Sequence, residues 1–549
     1  MVADRVTRAF ATPPAPLSRS ERAAAFVIAL LVAATRWPAL SRTLWDWDEA
    51  LFALALRDYD VAAYHPHPPG FPLFIGAAKL IPFDGFHALQ FIVFAGALLV
   101  FPAAFFLARE LRAPAFVVIA SGVLLAFFPN VWFYGGTALS DVPSMVLSMF
   151  AAALLLRGCR SPRALLAGAF VLGIAAGVRP QNLIIGFVPF AIAFLCRRRG
   201  ALLGALITAI LVIASYGAAA HASGGWEIYR DTLAHHERYI RETDSFLSPI
   251  RPSLLRVADD FFVRPYRAPA INAIVALLVL AALWRRRAHA IAAIAIFGPF
   301  VLFAWLYLDF HSASRFSIAY MPLYAILAAE GIDLARRGRA PVLAGVVALL
   351  MVWTWPVLRV VHRTPSPPVA AMESIRADVV YVDTRLAPHA QLLLREHREA
   401  GEVPPATMHA RAGVVHVREG GDGFTRPRAR LDRIARNRYF EATVAPVARI
   451  AFEEGWREEE GPPRAPWRWM TRRARASLPP ISPRATLSIR FAVPADTTVD
   501  VFIDGKRLER IDARRGWHER TWRIGAAREL VIETGNDAGL RLEALEVSG

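Results

Sequence analysis

Three acids, Asp46, Asp48 and Glu49, stand between and behind Trp45 and Trp47, just after the first apolar run. A carboxylate held where water meets an apolar phase can act as a general base with a tuned pKa. Asp48 is the best placed for that work, with Glu49 beside it. Asp46 opens a helical stretch, where a helix N-terminus favours an anion without any chemistry. Much later comes Ser140-Asp141-Val142-Pro143, and Asp141 is the only acid between Glu110 and Glu227. A helix cap with proline in the first turn accounts for that segment structurally. Yet Asp141 falls on the same side as Asp48, and two carboxylates from separate loops are what a metal or a base pair requires. His65 and His67 lie in the stiff turn His65-Pro66-His67-Pro68-Pro69-Gly70, open to substrate contact, to metal binding or to a structural role. Arg179 tips a hairpin, where it either snorkels or binds phosphate. His311 and Arg315 precede a helix start, where backbone amides reinforce a phosphate site. His235 and His236 read as the solvated face of a helix rather than a metal site.

These residues sit in the gaps between apolar runs. The chain has 549 residues, 55% of them hydrophobic and only 20% charged. A soluble chain would be nearer 45–50% apolar and about 25% charged. The excess belongs to residues 1–361, which excludes a disordered chain, a collagen, a disulfide scaffold and a fully soluble enzyme. Eleven apolar runs are expected to span a membrane: 23–40, 87–108, 114–134, 142–156, 164–178, 182–196, 201–219, 270–284, 291–308, 316–335 and 341–361. The stretch 164–196 reads as a hairpin of two short spans, because one long span would invert every later arginine cluster. The first run reads as an uncleaved signal anchor.

Net charge is +17, of which residues 1–361 carry 32 basic and 20 acidic side chains. Eighteen of those 32 lie on the arginine-rich side, four in the N-terminal segment and fourteen in short joints such as Arg157/Arg160/Arg163, Arg197–Arg199 and Arg285–Arg287. Basic clusters between apolar runs write membrane topology rather than nucleic-acid binding. They put the N-terminus in the cytoplasm, the acid-bearing loops outside the inner membrane and the C-terminal tail outside too. Cys159 and Cys196 each adjoin a cytoplasmic arginine cluster, so no disulfide is expected. Charge is almost missing within the spans, and no internal repeat is visible, which argues against a transporter.

The ordered set resembles the integral-membrane glycosyltransferases of the GT-C fold, the group with protein O-mannosyltransferases and the lipid A aminoarabinose transferase (glycosyltransferase family 39-like). It rests on Asp48-Glu49, then Pro68-Pro69-Gly70-Phe71-Pro72-Leu73, Ser140-Asp141-Val142-Pro143, Arg315-Phe316 to Met321-Pro322, and Ala328-Ala329-Glu330-Gly331. It covers about 20–360. The resemblance implies a polyprenyl-phosphate-linked sugar as donor and a lipid, glycan or protein acceptor on the outer face. Asp48 would deprotonate the acceptor hydroxyl, and Arg315 and Arg179 would neutralise the departing phosphate. Asp141 would orient the acceptor or bind a metal. Members differ in metal use, and no cofactor is assigned beyond an open place for a divalent metal. A flippase for lipid-linked sugars and an O-antigen-ligase-like enzyme are the rivals; the latter would use an outer histidine and arginine instead of Asp48.

The tail is expected to hold a small α/β subdomain at 362–440, with a strand at Val379–Asp383 and a helix at 387–400. A β-sandwich is expected at 441–549, from alternation such as Leu487, Ile489, Phe491 and Val493 and a hairpin turn at Asp504-Gly505. Its pattern is generally that of carbohydrate-binding sandwiches.

Overall fold

The structure is a computed structural model that describes residues 10–265, 268–285, 287–375, 379–394, 398–400, 414–419, 430–434, 442–446, 450–460, 467–478 and 485–548. Two compact units divide the chain: Met1–Ser366 with Asp422–Phe440, and Pro367–Gly421 with Glu441–Gly549.

The first unit is helical. Its helices are α1 (Arg19–Ala34), α2 (Trp47–Arg57), α3 (Pro72–Lys79), α4 (Gly85–Glu110), α5 (Ala115–Phe127) and α6 (Pro129–Tyr134). They continue with α7 (Asp141–Arg157), α8 (Pro162–Val178), α9 (Asn182–Cys196), α10 (Arg198–Ala222) and α11 (Trp226–Thr243). The last are α12 (Leu254–Ala258), α13 (Pro269–Arg285), α14 (Ala288–Tyr307), α15 (Ala313–Phe316), α16 (Met321–Asp333) and α17 (Arg339–Arg363). Every expected apolar run carries a helix. Among the described residues, five segments are long and apolar enough to cross a membrane, and α5, α8, α9 and α13 are shorter apolar helices. The stretch 164–196 does break, at Arg179-Pro180, because proline disfavours a helical residue before it.

Close approach holds the bundle together. A Cβ on Gly331 would stand 2.2 Å from the Leu278 carbonyl oxygen, so α16 meets α13 backbone to backbone. At the far end of α16 from Arg315, the fully buried Glu330 meets Arg285 Nη1 at 3.0 Å, Arg287 Nε at 3.2 Å and His289 Nε2 at 3.0 Å. Arg160 pairs with Glu110, and Arg112 donates to the Thr12 carbonyl. The arginine-rich joints are thus knitted to acids and to the N-terminal segment.

One expectation is overturned here. Cys159 and Cys196 form a disulfide, with Cα atoms 5.1 Å apart. The cause is the hairpin itself: α8 leads away from Cys159 and α9 returns to the same level, bringing together cysteines 37 residues apart.

In the second unit, β1 (Val379–Val382), β2 (Arg398–Ala400), β3 (Val414–Glu419) and β4 (Ala442–Pro446) form one sheet in the order β2-β1-β3-β4. The expected helix at 387–400 ends at Leu393, and its last residues form β2 instead. The remaining strands are β5 (Ala451–Phe452), β6 (Trp456–Glu460), β7 (Trp467–Met470), β8 (Arg473–Ser477), β9 (Thr486–Val493) and β10 (Thr497–Ile503), then β11 (Lys506–Ala513), β12 (Gly516–Arg523), β13 (Glu529–Thr534) and β14 (Leu540–Ser548). They make two five-stranded sheets, β11-β10-β13-β8-β5 and β12-β9-β14-β7-β6. Leu487, Ile489, Phe491, Val499, Val501, Leu530, Ile532, Leu540 and Leu542 share one buried core, as strand alternation requires. Asp504 and Gly505 turn the β10–β11 hairpin with φ of 47° and 76°, the left-handed conformation that a tight hairpin needs.

Candidate active site

The first loop is fastened to the second before either presents a side chain. The Ser41 amide donates to the Gly136 carbonyl at 2.9 Å, and buried Gln90 Nε2 donates to Ser41 O at 2.8 Å and Gly136 O at 2.9 Å. A Cβ on Gly136 would come within 1.9 Å of the Ala39 carbonyl oxygen, so only glycine lets the loops cross. Asp46 caps α2 by accepting from the Asp48 amide at 3.0 Å, and Glu49 reaches back to the Asp46 amide at 2.8 Å, a capping box. Glu49 also accepts from the Trp45 amide and, at 2.6 Å, from the Ala138 amide of the second loop. Three backbone donors engage this fully buried carboxylate. The structure therefore turns Glu49 toward backbone, away from Asp48.

Asp48 points the other way, into a chain of alternating charge. Its Oδ2 takes Arg315 Nη1 at 2.5 Å. Arg315 Nε donates to Asp141 Oδ2 at 3.0 Å, and Asp141 Oδ1 pairs with Arg179 Nη2 at 3.0 Å. Arg179 Nε donates to Ser140 Oγ at 2.9 Å, so Ser140 serves the arginine rather than capping α7. Asp46 Oδ1 lies 3.6 Å from Arg315 Nη1. Arg315 is only 5% exposed, and its short helix is held by Asn130 of α6, which donates to Ser314 O at 3.0 Å and Ser317 Oγ at 2.9 Å. A small cavity adjoins the chain, lined among others by Asp141, Ser144, Arg179, Asn182 and Phe316.

The electrostatics follow from that packing. Burial favours neutral Asp48, but Arg315, with His67 and Arg179 beside it, outweighs burial and holds the carboxyl below the usual carboxylate value. Burial pushes Asp46 up to about 6 against the same arginine. Burial opposes the charge on Arg315 too, yet Asp141, Asp48 and Asp46 together keep it firmly protonated.

The proline-rich turn adds one imidazole. His67 Nε2 is 3.4 Å from Asp48 Oδ2, and its ring stacks on Phe71 at 4.8 Å with Phe52 edge-on at 5.6 Å. Burial lowers His67 to about 4, so the ring is neutral at pH 7. Gly70 has φ +102°, and Tyr59 donates to its carbonyl at 2.8 Å. Tyr229 of α11 donates to Pro69 O at 2.9 Å, so α11 lies over this turn. There α11 brings His236 to 6.4 Å from His67, ring centre to ring centre. The solvated reading holds for exposed His235 but not for His236, which faces the site. The high amphipathicity of α11 was the sequence signal, and its charges hid the one inward imidazole.

Asp48, Asp141, Arg179, Arg315 and His67 are thus brought together. His65 and His311 are not in this chain. His65 is held through its backbone, exchanging hydrogen bonds with Asp60 at 2.7 and 2.8 Å. His311 is exposed, packs on Phe310, and lines a second cavity with Asp260 and Arg264. Among the described residues no group of three or more His, Cys, Asp or Glu side chains is arranged to hold a metal.

No protein-family model matches this chain, and no curated protein sequence matches it. Solved structures similar to it include the Archaeoglobus fulgidus oligosaccharyltransferase tethered to an acceptor peptide, at 11% identity and a TM-score of 0.43, covering 73% of this chain and 69% of that one. Arabinosyltransferase EmbB from Mycobacterium smegmatis is 12% identical with a TM-score of 0.40, covering 100% of this chain and 67% of that one. ArnT from Cupriavidus metallidurans bound to undecaprenyl phosphate is 14% identical with a TM-score of 0.41, covering 66% and 67%.

Proposed function

We propose that the chain is a membrane glycosyltransferase of GT-C type that moves a sugar from a polyprenyl-phosphate donor to an acceptor hydroxyl at the outer membrane surface. One observation carries the reading: Arg315 bridges Asp48 and Asp141, from two separate loops, with Arg179 on the far side of Asp141. A buried cluster of paired charges is a costly way to stabilise a fold. It is an economical way to hold two guanidiniums where phosphate oxygens gather charge as the glycosidic bond breaks.

In this reading the acceptor oxygen attacks the anomeric carbon, and the C–O bond to phosphate breaks with its electron pair on the phosphate. Arg315 and Arg179 receive that charge. The phosphate leaves without a proton. Asp48, ionised at rest, takes the proton of the acceptor hydroxyl. When phosphate oxygens engage Arg315, the arginine's hold on Asp48 weakens and the carboxylate becomes a stronger base. Asp141 keeps both guanidiniums in register. Glu49 has no part in the chemistry; it fixes the helix that carries Asp48.

Undecaprenyl phosphate itself tests the donor side. Native mass spectrometry of the full chain in mild detergent is expected to retain the lipid, and Arg179→Gln and Arg315→Gln to lose it at least tenfold. Equal retention by both variants, with unchanged melting temperature, would remove the arginines from the donor site.

A further inference from the structure

We propose that His67 and His236 carry the proton from Asp48 out to solvent; this rests on the reading of Asp48 as the base. A buried base must lose its proton once per turnover. Asp48 is 15% exposed, and the side chains that face it are Arg315, Arg179, Asp46 and His67. The arginines accept no proton. Asp46 can, but its Oδ1 is bonded to the Asp48 amide and leads back toward Arg315. His67 Nε2, 3.4 Å from Asp48 Oδ2, is the outward neighbour.

Beyond it the path continues. His67 Nδ1 and His236 Nδ1 are both buried, and neither has a hydrogen-bond partner among the described residues. The ring centres stand 6.4 Å apart, a span that one water molecule can bridge. His236 in turn packs against Tyr64 and Tyr239, each at 6.3 Å, and follows His235 in the chain. His235 is exposed, and Tyr239 is 54% exposed, so His236 stands at the edge of solvent.

The step balances. The acceptor proton passes to Asp48 Oδ2, then to His67 Nε2, giving an imidazolium. That ring releases its other proton from Nδ1 through water to His236, which passes one to bulk water. Burial lowers both histidines, so each rests neutral at pH 7 and carries the proton only in transit.

The test uses the full chain in detergent, supplied with undecaprenyl-phosphate-linked hexose and pentose donors. His236→Ala is expected to lower kcat by about tenfold or more, in keeping with a lost proton-transfer group. KM for donor and acceptor and the melting temperature should hold, and added imidazole should restore part of the rate. His236→Gln, which keeps the volume but cannot relay, should lose as much. Full kcat in either variant, or a loss that imidazole does not rescue, overturns the relay. Asp48→Asn is measured beside them: if it keeps activity, the base assignment has failed; if only the histidine variants stay active, the relay alone has failed.

Discussion

Arg315 touches three aspartates that come from two loops, and its loss is the most costly single change in this site. Breaking a buried pair by removing one partner costs about 3–5 kcal/mol. Arg315→Lys keeps the charge but not the fork that meets Asp48 and Asp141 at once. It is expected to melt earlier and to raise the donor KM at least tenfold, read by thermal unfolding and initial rates. Glu49 makes the opposite prediction. Glu49→Gln should cost about 1–3 kcal/mol, because one of three buried amides is left facing a donor, while undecaprenyl-phosphate binding is unchanged. The pH profile follows from Asp48. Its pKa is depressed, so the ionised base is present above the usual carboxylate range and is lost only as pH falls through the lower folded value. The ratio kcat/KM, which reports the free enzyme, should therefore show no Asp48-dependent decline between pH 8 and pH 5, about one unit above the ordinary aspartate value. At this scale the sequence revealed residue types and sidedness: Asp48, Asp141, Arg179 and Arg315 are acids and arginines in apolar-flanked loops. It hid direction. Glu49 at the third helix position suits a capping box as well as catalysis, and the bond from the Ala138 amide is what favours the structural role proposed for it.

At the scale of elements, apolar runs and arginine joints made the helices legible, including the break at Arg179-Pro180. What they did not reveal is how loops cross. Gln90 is one polar residue in the apolar helix α4, and its bonds to Ser41 and Gly136 set the distance between the Asp48 and Asp141 loops. Gln90→Leu is expected to cost about 1–3 kcal/mol for the acceptors it orphans, and to lower activity beyond what the stability loss explains. Gly136→Ala, forced against the Ala39 carbonyl, should cost more. Both are read by denaturation alongside transfer rate. The helix read at 387–400 failed for a local reason: the helix is seven residues long and the strand at Arg398–Ala400 only three, too short for alternation to register. In the sandwich alternation is long and clean, and the core residues of β9 and β10 were legible one by one.

At the scale of the molecule, the arginines separate into two groups, for which orientation and chemistry are the proposed roles. The arginine joints pair with Glu110, Glu330 and Asp333, while the Asp48–Arg315–Asp141–Arg179 chain gathers the loops between the other ends of the helices. A protease-sensitive tag after Gly549 should be cut from outside intact spheroplasts, and one at the N-terminus should be protected. The reverse would invert the topology. The cysteines were misjudged because the compartment was weighed and the hairpin's return was not. The most direct test of the whole account is sugar transfer by the full chain in a lipid nanodisc, with undecaprenyl-phosphate-linked sugars as donors and product followed by mass spectrometry. Wild type should transfer, and Asp48→Asn, folded and still retaining undecaprenyl phosphate, should transfer about 10²–10⁴ times more slowly. Transfer by Asp48→Asn at the wild-type rate would contradict the account.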